Sequence, residues 1–176
     1  MSVYPTWRAG KKVTKALLTE QQIHIVQATS DLIRNNTTTQ ANDTQLVYPL
    51  VANARYLVEL YVSFAAASAT PDIAMSWSVP SGTTGGRFCF GATSSSTAGD
   101  FNSRTDTTAS FRSQTFSGSI VGQVGVTSEG QHFTETLSLI VGGTAGDLAF
   151  RWAPNTANVS NTTRLADSFM TIERVG

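Results

Sequence analysis

Reactive chemistry in this chain would have to be assembled from two histidines, one cysteine and scattered carboxylates. A base or a nucleophile works only inside a fixed constellation of partners, so spacing decides. His24 sits in the apolar run Ile23, Ile25 and Val26, and His132 lies in a separate strand-like segment. Neither has a second ligand at metal-binding spacing, whereas metal sites group several His, Cys or carboxylate ligands. Cys89 lies in Arg87-Phe88-Cys89-Phe90, where a buried thiol fits better than a nucleophile. The serines lack a Gly-x-Ser-x-Gly elbow, and there is no HExxH, EF-hand or Gly-x-x-x-x-Gly-Lys-Ser/Thr motif. Asp72 and Asp147 fall at turns, Glu59 and Glu135 in strand-like runs, and Glu173 near the end. A pair of carboxylates meeting across strands would serve a glycosidase as acid and base. Turn geometry explains Asp72 and Asp147 better, because Asp side chains bond nearby backbone amides. The expectation is a non-enzymatic protein with no catalytic residue, no metal and no cofactor.

The frame that must position these residues is one domain of 176 residues, long enough to bury a core without disulfides. Charged residues are 14% of the chain and apolar residues 40%, with Thr, Ser and Gly making up the difference. The net charge of zero argues against bulk electrostatic capture of nucleic acid or of an anionic membrane. No run approaches the roughly 18 apolar residues that span a bilayer. Met1-Ser2-Val3-Tyr4-Pro5 lacks the apolar centre of a signal peptide, so synthesis as a soluble cytoplasmic protein is expected. The Asn-x-Ser/Thr matches at Asn35, Asn36, Asn42, Asn158 and Asn161 follow from the Thr-rich composition.

From about residue 23 onward the apolar residues recur with period two. Ile73, Met75, Trp77 and Val79 alternate with small residues, as do Leu137, Leu139 and Val141, and Leu148, Phe150 and Trp152. Alternate strand residues point to opposite faces, so each set forms one apolar stripe. Asn35-Asn36-Thr37, Pro80-Ser81-Gly82, Gly85-Gly86, Gly142-Gly143 and Pro154-Asn155 punctuate the stripes as turns. The pattern predicts strands over 22–28, 44–50, 55–64, 72–79, 86–91, 110–121, 131–141, 146–152 and 167–175. Short strands so spaced specify an all-β fold, an antiparallel β-sandwich of jelly-roll-like type. Which face of 55–64 is inward, Val58, Leu60 and Val62 or Leu57, Tyr61 and Ser63, stays open at this point.

Asp72-Ile73-Ala74-Met75-Ser76-Trp77 is echoed by Asp147-Leu148-Ala149-Phe150-Arg151-Trp152. The echo predicts two similar hairpins, each placing a tryptophan, Trp77 or Trp152, in the core between sheets. Residues 91–100 are small, polar and unpatterned, which reads as an exposed loop. Phe101, Arg104, Phe111 and Arg112 are its candidate binding residues, beside the simpler reading of a bland connection.

Residues 1–21 differ from the rest. They hold Arg8, Lys11, Lys12 and Lys15 against the single acid Glu20, and 14–22 could form a short helix capped by Thr14. A helix this short is marginal alone and needs a partner surface. The chain therefore divides into an anchoring arm or helix, 1–21, and a sandwich domain, 22–176. Tyr4, Trp7, Arg8, Lys11, Lys12, Leu17 and Leu18 are the candidate anchors. Nucleic-acid binding by the arm is the lesser alternative to docking on a larger assembly.

The segment Thr6-Trp7-Arg8-Ala9-Gly10-Lys11-Lys12-Val13-Thr14-Lys15-Ala16-Leu17-Leu18 resembles the leader of phage and prophage tail-fibre-like proteins. The leader commonly has Ala where this chain has Lys15. Residues 34–39 and 46–56, Trp77-Ser78-Val79-Pro80-Ser81-Gly82 and the ending 168–175 are similar to small virion proteins of actinobacterial phages. That resemblance implies a minor tail or fibre-like protein, often trimeric, carried on the virion and sometimes touching the host surface. Its partners would be other tail or capsid proteins and a host-surface glycan, with no nucleic acid and no membrane insertion. A capsid decoration protein and a carbohydrate-binding module, with loops 80–86 and 91–110 on the sugar, are the alternatives.

Overall fold

A computed structural model describes residues 10, 12, 14, 22–68, 70–91, 110–122, 124 and 130–176. Two antiparallel sheets pack face to face. The larger contains β1 (His24–Gln27), β12 (Phe169–Arg174), β4 (Arg55–Ala66), β9 (Gln131–Ile140), β6 (Thr84–Gly91) and β7 (Ser110–Ser113) in that spatial order. Short strands β2 (Leu32–Arg34) and β11 (Thr162–Arg164) join it beside β4. The smaller runs β3 (Ala41–Leu50), β10 (Gly146–Pro154), β5 (Ile73–Ser78), β8 (Ile120–Gly122). With β6 and β7 read as an inserted hairpin, this is the interlocked order of a jelly roll. No helix occurs among the described residues.

Alternating burial along the strands shows which face is inward. In β4, Tyr56, Val58, Leu60, Val62 and Phe64 are buried, while Leu57 and Tyr61 look outward. In β9, Phe133, Leu137 and Leu139 are buried, while His132, Thr134, Thr136 and Ser138 are exposed. Trp77 and Trp152 close the space between the sheets, as the stripes predict. Their rings meet Phe150 and Phe64 edge-on, at centroid distances of 5.3 Å and 5.1 Å.

The internal echo is genuine, but its units are not hairpins. β4 and β5 belong to different sheets, as do β9 and β10, so each unit is an arch that crosses the sandwich. An offset of 75 residues, Trp77 to Trp152, superposes their patterns. Inward Val58, Leu60, Val62 and Phe64 then correspond to inward Phe133, Glu135, Leu137 and Leu139. The antiparallel pairings Leu60–Glu135 and Ser76–Arg151 lie on the implied two-fold axis. One supersecondary unit is used twice, and it inverts on itself.

Two strand expectations need correction. The predicted strand 110–121 is two strands in different sheets, β7 and β8, because the chain turns at Thr115–Gly118 and changes layer. Strands β2 and β11, three residues each, went unpredicted because so short a run shows no period. The predicted helix 14–22 lies outside the described residues apart from Thr14 and Gln22.

Glycine sets the gap that one core ring fills. A Cβ on Gly91 or on Gly122 would come within 2.3 Å of the Phe133 ring, which is therefore clamped between β6 and β8. Gly122→Ala should lower stability by about 1–3 kcal/mol through overpacking. Phe133→Leu in the same chain should recover part of that loss, as read by urea unfolding.

Candidate binding cleft and interior ion pairs

Two carboxylates lie within the sandwich, and each is held by an arginine and a tryptophan. Glu135 faces inward from β9 and receives Nε and Nη2 of Arg87, from neighbouring β6, at 2.8 Å and 2.7 Å. Its Oε2 also accepts the indole N–H of Trp77 at 2.5 Å. Arg87 continues to the other layer, donating Nη1 to the Gly118 carbonyl at 2.7 Å and Nη2 to that of Met75 at 3.1 Å. Both side chains of the pair are fully buried. A buried charge is tolerated only when it is paired and its remaining hydrogen bonds are met, and here they are.

The second network repeats the chemistry at the other end of the core. Asp43 Oδ2 accepts Arg164 Nε at 2.9 Å and Trp152 Nε1 at 3.1 Å. Its Oδ1 accepts the backbone N–H of Gln45 at 2.9 Å and of Leu46 at 3.2 Å. Arg34 lies over the Trp152 ring, 4.3 Å from its centroid, and donates to the carbonyls of Ala41, Asn42 and Trp152. Burial alone would push the Asp43 carboxyl up. Arg164, the Gln45 amide and the Trp152 indole together outweigh burial and hold it below the ordinary carboxylate range.

The Arg87 network also builds a wall. By binding the Gly118 carbonyl it fixes the Thr115–Gly118 turn, whose Phe116 carbonyl accepts the backbone N–H of Trp77 at 2.8 Å. Opposite stands the Pro80–Thr83 turn, closed by Thr83 N–H on the Pro80 carbonyl at 3.2 Å. Gly82 has φ of +77° there, the left-handed position that favours glycine in such a turn. The turn rests on Gly142, where a Cβ would lie 2.8 Å from the Gly82 carbonyl oxygen. Between the two turns is a cleft of about 570 Å³, lined by Trp77, Phe116, Arg151 and five Ser or Thr residues. Arg151 donates one N–H to the Gln40 carbonyl at 2.7 Å.

A second hollow, of about 330 Å³, lies on the outer face of the larger sheet between Glu59, Tyr61, Thr134, Thr136, Phe169 and Thr171. Phe169, Tyr61 and His132 form a row of stacked rings across β12, β4 and β9, with centroids 5.6 Å and 5.3 Å apart. His132 Nδ1 lies 2.6 Å from Ser63 Oγ, and this is the nearest approach to a base–nucleophile pair among the described residues. Apolar Ile25, Leu57, Phe88 and Ile140 are exposed on the same face. The outward residues Ala74, Ser76, Ala149 and Ala153 of the smaller sheet are buried instead.

The sequence candidates fall unevenly. Of the candidate anchors in the arm only Lys12 is described, and it is exposed; Tyr4, Trp7, Arg8, Lys11, Leu17 and Leu18 lie outside the described residues. So do Phe101 and Arg104, whereas Phe111 and Arg112, expected in a binding loop, belong to edge strand β7 paired with β6. His24 packs beside Tyr48, with ring centroids 5.3 Å apart. Cys89 is buried. Among the described residues no group of three or more His, Cys, Asp or Glu is placed to hold a metal ion. Arg87, Glu135, Asp43 and Arg164 were missed as a set. Their signal was parity, because Glu135 shares the inward phase of Phe133 and Leu137.

Comparison with known proteins gives no match, whether to protein families, to curated proteins or to solved structures.

Glu135→Ala should cost about 3–5 kcal/mol in urea unfolding, because it leaves the Arg87 charge buried without its partner. Replacing both, Arg87→Met with Glu135→Leu, should recover most of that loss. Asp43 gives a second outcome, in pH. Its depressed pKa contributes stability that is full above its unfolded value of about 3.9 and is lost as pH falls through the folded value. The gap in melting temperature between wild type and Asp43→Asn should therefore be widest near neutrality and close in acid below about pH 4.

Proposed function

We propose that the chain is a non-enzymatic structural protein of a bacteriophage virion, tail-associated, tethered by residues 1–21 and projecting its sandwich outward. The observation that carries this reading is how the fold spends its ionisable groups. Both interior carboxylates are neutralised in structural networks, while what meets solvent is a hydroxyl-lined cleft and a sheet face bearing Ile25, Leu57, Phe88 and Ile140. Such surfaces recognise and pack. The leader-like pattern at 6–18 and the basic excess of the arm supply the tether. The jelly-roll order is in keeping with it, since capsid and lectin domains use that architecture, though this is analogy at the level of fold.

The exposed sheet face is the surface across which copies would associate, as a trimer, or across which a tail protein would seat. In this reading the protein is made in the host cytoplasm and resides on the particle.

Removing residues 1–21 should abolish incorporation into particles while purified 22–176 keeps the β-type circular dichroism and cooperative melting of the full chain. Normal incorporation of the truncated protein would refute the tether. A copy number on the scale of the shell, measured by quantitative mass spectrometry of particles, would move the protein from tail to head as a decoration protein.

A further inference from the structure

We propose that the cleft between the 80–83 and 115–118 turns binds a saccharide unit carrying an acidic substituent. The inference deepens the reading of the sandwich as an outward binding module, and it does not depend on which particle carries it.

The cleft's volume, about 570 Å³, lies within the range of small-molecule sites. Its lining has the mixed character of a sugar. Thr83, Thr84, Thr115 and Ser117 offer hydroxyls that both donate and accept, as sugar hydroxyls do, and Phe116 offers an apolar surface for a ring's C–H face. The charge in the lining is positive and single: the Arg151 guanidinium, with no carboxylate among the lining residues. A guanidinium pairs with planar oxyanions through two parallel N–H bonds, which selects a uronate-type carboxylate over a neutral sugar.

A further observation points to an occupant. The Thr83 hydroxyl is buried and has no hydrogen-bond partner among the described residues, although Thr83 lines the cleft. Buried polar groups are nearly always satisfied, and Thr83 Oγ1 is closed to solvent as it stands, so a turn of this side chain toward the open site would let a ligand atom supply the missing partner. The Thr162 hydroxyl also lacks a partner, but it is enclosed in the core, away from the cleft. Both walls are pre-set, by Arg87 through Gly118 and by the packing of Gly82 on Gly142, so binding needs little ordering.

The test is an amide NMR titration of the full chain with methyl glucuronide, methyl glucoside and inorganic phosphate in turn. The glucuronide should shift the amides of Thr83, Thr84 and 115–117, with the glucoside at least about tenfold weaker. Thr83→Val, isosteric and without the hydroxyl, should weaken glucuronide binding roughly three- to tenfold with no loss of melting temperature. Arg151→Gln should erase the preference for the acidic sugar. If that variant melts early through loss of its contact with Gln40, Arg151→Lys serves, and the preference should be reduced. Three results would overturn the proposal: no shift in the cleft at tens-of-millimolar sugar, phosphate binding as tightly as the glucuronide, or shifts centred on the Tyr61–Phe169 face. Any of these would leave the virion reading standing, because that is read from particles rather than from purified protein.

Discussion

The Arg87–Glu135 pair is the contact on which most of the architecture turns. It lies on the inner face of the larger sheet, yet its guanidinium ends on carbonyls from the smaller layer and from the turn between β7 and β8. Apolar packing between sheets is strong but non-directional, and it allows one sheet to slide or rotate over the other. A bidentate ion pair with an indole on one oxygen and carbonyls on two of the remaining N–H groups allows little such freedom. Burial of this kind is weak evidence for net stability, since an apolar pair of similar volume does as well or better. Its effect is positional: it fixes the layer spacing beside Trp77 and the place of the 115–118 turn.

The Asp43–Arg164 network makes the same argument at the other end. Together the two networks bracket an aromatic core of Phe64, Phe133, Phe150 and the two tryptophans. The arches β4–β5 and β9–β10 repeat one pattern, and each presents a tryptophan whose N–H must find an acceptor once buried. The acceptor differs in origin, Glu135 from β9 in one case and Asp43 from β3 in the other. The repeat therefore created the same polar requirement twice, and the chain met it with carboxylates from non-equivalent strands.

Much of this was legible in the residues, and the reason differs between elements. β4, β5, β9 and β10 are long enough for period two to stand out, and their stripes correctly placed Trp77 and Trp152 inside. The choice of inward face for β4 was not legible, because Leu57 and Tyr61 on one side rival Leu60 and Val62 on the other. Only contact with the opposite sheet decides it. The networks could have been found: Arg87 shares phase with Cys89 and Glu135 with Leu137, and opposite charges on the inner phase of two strands imply a buried pair, here a diagonal one. The cleft could not. Its walls come from residues 77–85, 115–117 and 151, and neither short turn carries a pattern of its own. Their meeting depends on β7 and β8 lying in different sheets, which the continuous reading of 110–121 concealed.

That concealment bears on where recognition resides. Sequence reading looks for function in long unpatterned loops such as 91–110, because loops on rigid scaffolds usually carry it. Here a cleft lies between two tight turns that interior contacts hold still, one through a guanidinium and the other through glycine-on-glycine packing. The polar side chains that line it are five hydroxyls and one guanidinium. Hydroxyls that both donate and accept, beside a planar multiple donor, suit geometry-dependent hydrogen bonding. If the cleft binds as proposed, its hydroxyls and single guanidinium would discriminate between ligands by shape and by charge.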